Sequence, residues 1–147
     1  MMKRNILLIV FMMVMMPFVA VSQENTTSEP EAPKSLFAYP QAPDTIKTFQ
    51  ERANYVVIRF WNNFDLSKPI QDETAFEKAF IDYLEFFQYA HKTVVLNSIK
   101  DLMNKAQSNK ANFALIGELA EKNMYSDQAV FASDEAYMPF AEAMVRA

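Results

Sequence analysis

The sequence predicts an all-α fold, a bundle of about five helices. From Asp44 onward the chain contains one glycine, Gly117, and only two prolines, Pro69 and Pro139. Because glycine and proline interrupt regular structure, their scarcity favours long helices joined by short polar segments. Apolar residues recur there at intervals of three and four, the period of a helix that buries one face. Strict alternation, which would indicate strands, is absent.

Three helices are predicted in the first part of this region. The first covers residues 45–63 and must end before Pro69, because the residue preceding a proline is pushed away from helical angles. The second covers residues 73–88, with Asp72 as its N-cap. The third covers residues 92–107. The second helix carries a broad aromatic stripe of Phe76, Phe80, Tyr83, Leu84 and Phe87. Phe86 lies off this stripe, which indicates neighbours on two sides of the helix.

Two further helices complete the predicted bundle. The fourth covers residues 111–123 and contains Gly117, which costs about 1 kcal/mol relative to alanine inside a helix. A helix accepts that cost where a neighbour comes close, so Gly117 predicts a tight helix crossing. Ser133 is the predicted N-cap of the fifth helix, residues 134–144, in which Pro139 should produce a kink. A single core suits a region of this length.

The first 22 residues have the layout of a secretory signal peptide. Lys3 and Arg4 precede an apolar run over residues 6–21, and small residues end at Ser22, so cleavage is expected before Gln23. The alternative is an uncleaved membrane anchor, although the run is shorter than the about 20 residues that span a bilayer. Cleavage would make the protein periplasmic or secreted and leave no stable membrane span.

Residues 23–43 differ in composition from the rest of the chain. They are polar and rich in proline, which predicts a disordered linker ahead of a helical domain at residues 44–147. Leu36, Phe37 and Tyr39 interrupt this polarity, and their apolar surface suits docking on the helical domain.

Composition excludes several kinds of chemistry. The chain has no cysteine and one histidine, His91, so thiol catalysis is excluded and a zinc site would need mostly carboxylates. We expect His91 to cap or end a helix. A single glycine excludes a glycine-rich phosphate loop, and a net charge of −4 disfavours nucleic acid. The spacing of Asp82 with Glu85, and of Glu118 with Glu121, is typical of solvated helix faces. We therefore predict no catalytic residue, no metal and no cofactor.

One stretch resembles a known family. Residues 53–65, ANYVVIRFWNNFD, resemble a helical domain of unknown function found in exported proteins of Gram-negative gut anaerobes. That domain often precedes a thioredoxin-like thiol–disulfide oxidoreductase domain, which this sequence lacks. The resemblance implies an all-helical domain with no assigned catalytic residues, either standalone or cut short. Its supporting matches are Thr74–Phe76, Phe80, Tyr83, Leu119–Lys122, Met124, Tyr125, Asp134, Glu135 and Tyr137–Pro139, whereas Asn123 departs from the family's aromatic residue.

These observations predict a non-enzymatic interaction or accessory domain whose partner is an envelope redox protein. The predicted contact surface is Trp61, Asn62, Asn63, Phe64 and Asp65. Trp61 follows Phe60 directly, so the two side chains cannot centre on one helix face. Trp61 then either packs beneath the loop to Pro69 or forms part of an exposed contact.

Two other functions remain open at this level. One is a binding protein for a small apolar or peptide ligand, held in a cavity between aromatic helices and lined by Phe76, Phe80, Tyr83 and Phe113. The other, for which the sequence offers least support, is an enzyme with two carboxylates converging in a cleft.

Overall fold

The computed structural model describes residues 34–147, and this part of the chain is built from helices and turns without a β-strand. The predicted all-α fold with about five helices is confirmed. The predicted signal peptide, residues 1–22, and the first part of the predicted linker, up to residue 33, lie outside the described residues. The helices are α1 (Phe49–Arg59), α2 (Glu73–Glu85), α3 (Lys92–Ala106), α4 (Lys110–Ala120) and α5 (Asp134–Arg146).

Each helix begins where a side chain accepts a hydrogen bond from a free backbone N–H. Thr48, Asp72, His91, Asn109 and Ser133 are the N-caps of α1 to α5 in that order. The predicted caps Asp72 and Ser133 are therefore confirmed, as is the structural role expected of His91. A Thr, Asp, Asn or Ser cap of this kind is worth about 1 kcal/mol.

Helix α1 is shorter than the predicted span of 45–63. It starts later because the Thr48 side chain caps it. After Arg59 the backbone tightens into successive turns, in which the Asn62 N–H donates to the Arg59 carbonyl at 3.0 Å and the Phe64 N–H donates to the Trp61 carbonyl at 3.2 Å. These turns lead the chain away from the helix axis toward the loop before α2.

Two predicted helices change their winding at the C-terminal end. The last part of the predicted span 73–88 is a 3₁₀ turn, Phe86–Gln88. Helix α4 continues into a π-helical turn, Glu121–Tyr125, whose wider ring is closed by the Ser126 N–H donating to the Glu121 carbonyl at 2.9 Å. Helix α5 runs from Asp134 to Arg146 as one helix with Pro139 inside it.

Aromatic and aliphatic side chains from all five helices form one core. Tyr83 of α2 lies at its centre, and its hydroxyl forms a hydrogen bond with Ser98 of α3 at 2.7 Å. The Ser98 hydroxyl is also 2.8 Å from the Val57 carbonyl of α1, so one polar chain links three helices inside the core. The largest fully buried side chains are Tyr83, Phe60, Phe76, Phe80, Phe140, Leu84, Ile99, Leu102, Met103, Ile116, Met124 and Val57.

Gly117 marks a close contact between α4 and α5. A Cβ at this position would lie 2.6 Å from Met144 Sδ and 2.8 Å from Met144 Cε. The predicted tight crossing is thus present, and the neighbour that occupies the space is a side chain of α5 rather than its backbone.

Candidate functional site

The predicted contact segment, Trp61–Asp65, lies in the turns that follow α1. Trp61 is only 4% exposed and belongs to the core, so its side chain does not form an exposed contact. Phe64 is half-buried, and Asn62, Asn63 and Asp65 are exposed. Any contact made by this segment therefore uses its polar members, while Trp61 supports them from below.

The chain itself covers the aromatic members of this segment. Residues 34–43, which we call the strap, run without helical structure across the end of α1. The Phe37 ring lies 5.5 Å from the Trp61 ring and 5.3 Å from the Phe64 ring, and the Tyr39 ring lies 4.8 Å from the Phe60 ring. The expectation that Leu36, Phe37 and Tyr39 dock on the helices is confirmed, since all three pack against the core.

Polar contacts hold the middle of the strap. Asn63 Nδ2 donates to the Ala38 carbonyl at 2.8 Å. The Tyr39 hydroxyl donates to Asp82 Oδ2 on α2 at 2.8 Å, and Lys78 also donates to that oxygen. Burial, with the nearby Asp82 carboxylate, raises the pKa of Tyr39 well above its usual value. The hydroxyl therefore stays protonated and able to donate.

An arginine fixes the path from the strap into α1. The Arg52 guanidinium donates to the carbonyl oxygens of Ala42 at 3.3 Å, Pro43 at 3.2 Å and Ile46 at 3.1 Å. One charged side chain thus satisfies three backbone acceptors in a stretch without regular structure. These contacts make the strap a part of the folded unit.

The loop between α1 and α2 is anchored by a residue that sequence reasoning missed. Asn112 of α4 is 2% exposed, and its Nδ2 donates to the Leu66 carbonyl at 2.8 Å and the Lys68 carbonyl at 2.7 Å. Its Oδ1 accepts from the Ile70 N–H at 3.2 Å. Only the position of an asparagine inside the apolar pattern of α4 could have signalled this role.

The exposed members of the predicted segment take part in local bonds. Asp65 accepts from the hydroxyl and the backbone N–H of Ser67, and these bonds, the side-chain one first, hold the pKa of the Asp65 carboxyl below its usual value. Asn62 Oδ1 accepts from Lys105 Nζ of α3 at 3.4 Å. The segment therefore presents a small polar surface, with an ion pair between Asp65 and Lys68 at one end and Lys105 beside Asn62.

The cavity predicted between the aromatic helices is filled by its own side chains. Phe76, Phe80 and Tyr83 have no exposed surface and Phe113 is buried, all within the continuous core. A cleft lies instead beside this cluster, between the end of α2, the start of α3 and the connection 126–132. We call it the α3–α5 cleft, and it has a volume of about 490 Å³.

The α3–α5 cleft has an apolar interior and a charged rim. Leu84, Val95 and Met124 form a buried floor, and the half-buried Phe87 and Phe131 stand at its sides. At the mouth, Lys92 of α3 forms an ion pair with Glu135 of α5. The connection 126–132 is held over the π-helical turn by backbone bonds, and π-helical turns occur frequently at functional sites.

The side chains suited to catalysis either cap a helix or lie exposed on helix surfaces. His91 Nδ1 accepts from the Thr93 N–H at 3.4 Å, which caps α3. Glu85, Glu118 and Glu121 are exposed on helix surfaces, as expected for solvated faces. Within residues 34–147 no group of three or more His, Cys, Asp or Glu side chains is placed to hold a metal ion. Nor does that range contain a helix whose length and apolar character would let it span a bilayer.

A comparison with known protein families identifies the family of this chain. A family model described as a domain of unknown function, DUF5106, matches residues 20–147. The chain belongs to the DUF5106 family. This match covers the strap and all five helices, and it agrees with the resemblance seen in residues 53–65.

A solved structure shares the fold of this DUF5106 domain. It is a thioredoxin-like protein from Bacteroides caccae ATCC 43185, with a TM-score of 0.71 and 25% sequence identity over 76% of this chain. The DUF5106 chain spans 41% of that protein's length. None of the curated proteins compared with the chain matches it. The expectation of a domain of unknown function that is related to a thioredoxin-like protein is therefore confirmed as a family match and a likeness in fold.

Proposed function

We propose that this DUF5106 domain is a non-enzymatic interaction domain of the cell envelope that assists a thiol–disulfide redox protein of the thioredoxin-like class. The observation that carries the proposal is the likeness to a thioredoxin-like protein, of which the helical fold makes up 41%. Less than half of that protein corresponds to this domain, so an accessory role beside a redox domain accounts for the pairing.

The proposed location rests on the sequence of residues 1–22. Their positive start, apolar run and small residues before Gln23 are typical of an export signal. An exported chain without cysteine must be stable through its core alone, and the continuous apolar core of the described residues suits that requirement. An origin in a Gram-negative gut anaerobe is part of the same proposal.

The non-enzymatic role is supported by what the polar side chains do. His91 caps α3, Asp82 binds the strap, and Asn112 holds the loop before α2. Side chains whose hydrogen bonds hold other segments of the chain in place have a structural role. The proposed contact surface is the polar patch of Asn62, Asn63 and Asp65, supported by Trp61 and Phe64 beneath it.

Direct binding tests the proposed partner. The purified chain should be titrated calorimetrically with the thioredoxin-like protein encoded in the same genome. We expect a dissociation constant of about 1 μM, equal to a binding free energy of about −8 kcal/mol. Asn62→Glu should weaken binding, whereas Asn104→Glu, a matched change at another exposed asparagine, should leave it unchanged. An isotherm without heat of binding would refute the redox partnership.

The location is tested separately by expressing the gene in a Gram-negative host. Periplasmic extract should contain a chain whose mass corresponds to a start at Gln23. A full-length chain retained in the membrane fraction would refute the cleaved signal and favour an anchor.

A further inference from the structure

The sulfur chemistry of this chain rests on methionine, because the sequence contains no cysteine. The described residues include four methionines, Met103, Met124, Met138 and Met144. Met103 and Met124 are each 1% exposed and belong to the core, whereas Met138 is 54% and Met144 is 40% exposed. Susceptibility to oxidation follows exposure. In the folded part of the chain that the structure describes, an oxidant in solution therefore reaches the two methionines of α5.

Met144 is the one of these two whose sulfur fills a gap between helices. Its thioether occupies the notch that Gly117 leaves on α4, where a Cβ would lie 2.6 Å from Sδ and 2.8 Å from Cε. Gly117 is buried, and α5 ends two residues after Met144, at Arg146. The thioether is therefore the contact that holds the end of α5 against α4, and it is also open to solvent.

A groove of about 520 Å³ gives solvent access to the Met144 side chain. Gln107, Lys110 and Phe113 line this groove beside Met144. Phe113 is buried and supplies an apolar wall, whereas Gln107 and Lys110 are exposed and carry N–H donors. The Gly117 N–H lies inside α4 and is used by the helix. The groove therefore offers hydrogen-bond donors that the notch does not.

We propose that Met144 is an oxidation site whose conversion to the sulfoxide releases the end of α5 from α4. Hydrogen peroxide supplies the oxygen. A lone pair of Sδ forms the S–O bond while the O–O bond of the peroxide breaks, so sulfur loses two electrons and the peroxide gains them. The hydroxide that leaves takes the proton of the transferred oxygen and becomes water. The thioether is restored by methionine sulfoxide reductases, so the change is reversible.

The sulfoxide oxygen changes which surroundings suit the side chain. Held in the notch, the oxygen would lose the hydrogen bonds that it makes with water, which is unfavourable. The oxidised side chain therefore moves into the groove, toward Gln107 and Lys110. Phe140 keeps the middle of α5 in place, because it is fully buried and its ring lies 5.9 Å from that of Phe80. The release is thus confined to the residues after Phe140.

This inference goes beyond the proposed function, because it concerns the packing of α4 and α5 and requires no partner protein. Its test therefore stands or falls separately from the binding of a thioredoxin-like protein.

Two measurements on the purified chain test the proposal. After treatment with hydrogen peroxide, peptide mapping by mass spectrometry should find one added oxygen at Met138 and at Met144, and none at Met103 or Met124. Hydrogen exchange then reports the consequence for α5. The backbone amides of residues 141–146 should exchange about tenfold faster in the oxidised chain, because the end of the helix opens more often. Treatment with methionine sulfoxide reductase should restore the original rates.

Matched variants assign the effect to one sulfur. Met144→Leu keeps the volume of the side chain, and peroxide should leave its exchange rates unchanged although Met138 is still oxidised. Met138→Leu should respond to peroxide as the wild type does. Gly117→Ala should raise the rate of Met144 oxidation relative to that of Met138 in the same sample, because the new Cβ displaces the thioether from the notch.

Four results would overturn the proposal. The first is oxidation of Met138 without oxidation of Met144. The second is an unchanged exchange rate in oxidised Met138→Leu, and the third is an increase in Met144→Leu equal to that of the wild type. The fourth is a ratio of the two oxidation rates that Gly117→Ala does not alter, which would show that the notch does not hold the sulfur.

Discussion

Replacement of Asn112 by alanine should destabilise the domain strongly, because this one side chain holds the loop before α2. The Asn112 amide donates to the carbonyl oxygens of Leu66 and Lys68 and accepts from the Ile70 N–H, at distances between 2.7 and 3.2 Å. The substitution removes all three hydrogen bonds from a site where the side chain is 2% exposed. The loop then loses the polar attachment to α4 that Asn112 provides.

The magnitude follows from the number of bonds. A hydrogen bond contributes about 1 kcal/mol net, and each buried group left without a partner costs about 1–3 kcal/mol unless water reaches it. The Lys68 carbonyl lies near the surface, so water can compensate there, whereas the Leu66 carbonyl is bonded in a buried position. We expect a loss of about 3–4 kcal/mol, a large part of the 5–15 kcal/mol typical of a whole domain.

Urea unfolding measures this loss. Circular dichroism follows the helices, and the fluorescence of Trp61, the only tryptophan, follows the core beside the loop. Asn104→Ala is the control, because Asn104 is exposed and should change stability by less than about 0.5 kcal/mol. A loss below about 1 kcal/mol for Asn112→Ala would refute the reasoning.

Three further changes test other parts of the structure. Phe37→Ala should lower the free energy of unfolding in urea by about 2 kcal/mol, less than for a fully buried phenylalanine because the Phe37 ring is half-buried. Phe49→Ala should lower it far less, because Phe49 is mostly exposed. Equal losses would contradict docking of the strap. Gly117→Ala should leave the free energy of unfolding nearly unchanged, because the gain of about 1 kcal/mol in helix propensity is offset by the close contact of the new Cβ with Met144. In a Met144→Ala background the same change should stabilise the domain. A double-mutant cycle without coupling would exclude the contact. Burial raises the pKa of Tyr83 above its usual 10.0, so the contribution of its hydroxyl to stability is complete below pH 10 and is lost as the pH rises further. The urea midpoint should therefore fall less between pH 8 and about pH 11 for Tyr83→Phe than for wild type. Equal falls would exclude this role.

The parts of the fold that sequence predicted are those governed by neighbouring residues. The helical period and the caps Asp72 and Ser133 depend on spacing along one helix, and all are present. The glycine inside α4 indicated a close neighbour, but not that Met144 of α5 would be that neighbour. The turns that end α1 were harder to predict. The pattern of apolar residues continues through Phe64, but those residues face the strap rather than the next turn of a helix.

The contacts that shape the candidate site depend on residues far apart in the chain. Asn112 binds a carbonyl 46 positions away, and Tyr39 binds a carboxylate 43 positions away. No local pattern encodes such a pairing. Trp61 shows the same limit. Its position beside Phe60 left two placements open, and it is buried by rings from distant parts of the chain, Phe37 of the strap and Phe76 and Tyr83 of α2.

The docking of the strap also decides where a useful recombinant fragment can start. A fragment trimmed to begin at Asp44 would remove Phe37 and Tyr39 and expose the rings of Phe60 and Trp61 to solvent. Such a protein would be prone to precipitate during purification, and its new sticky face could be mistaken for a natural binding surface. Expression trials and interaction screens should therefore retain the residues from Lys34 onward.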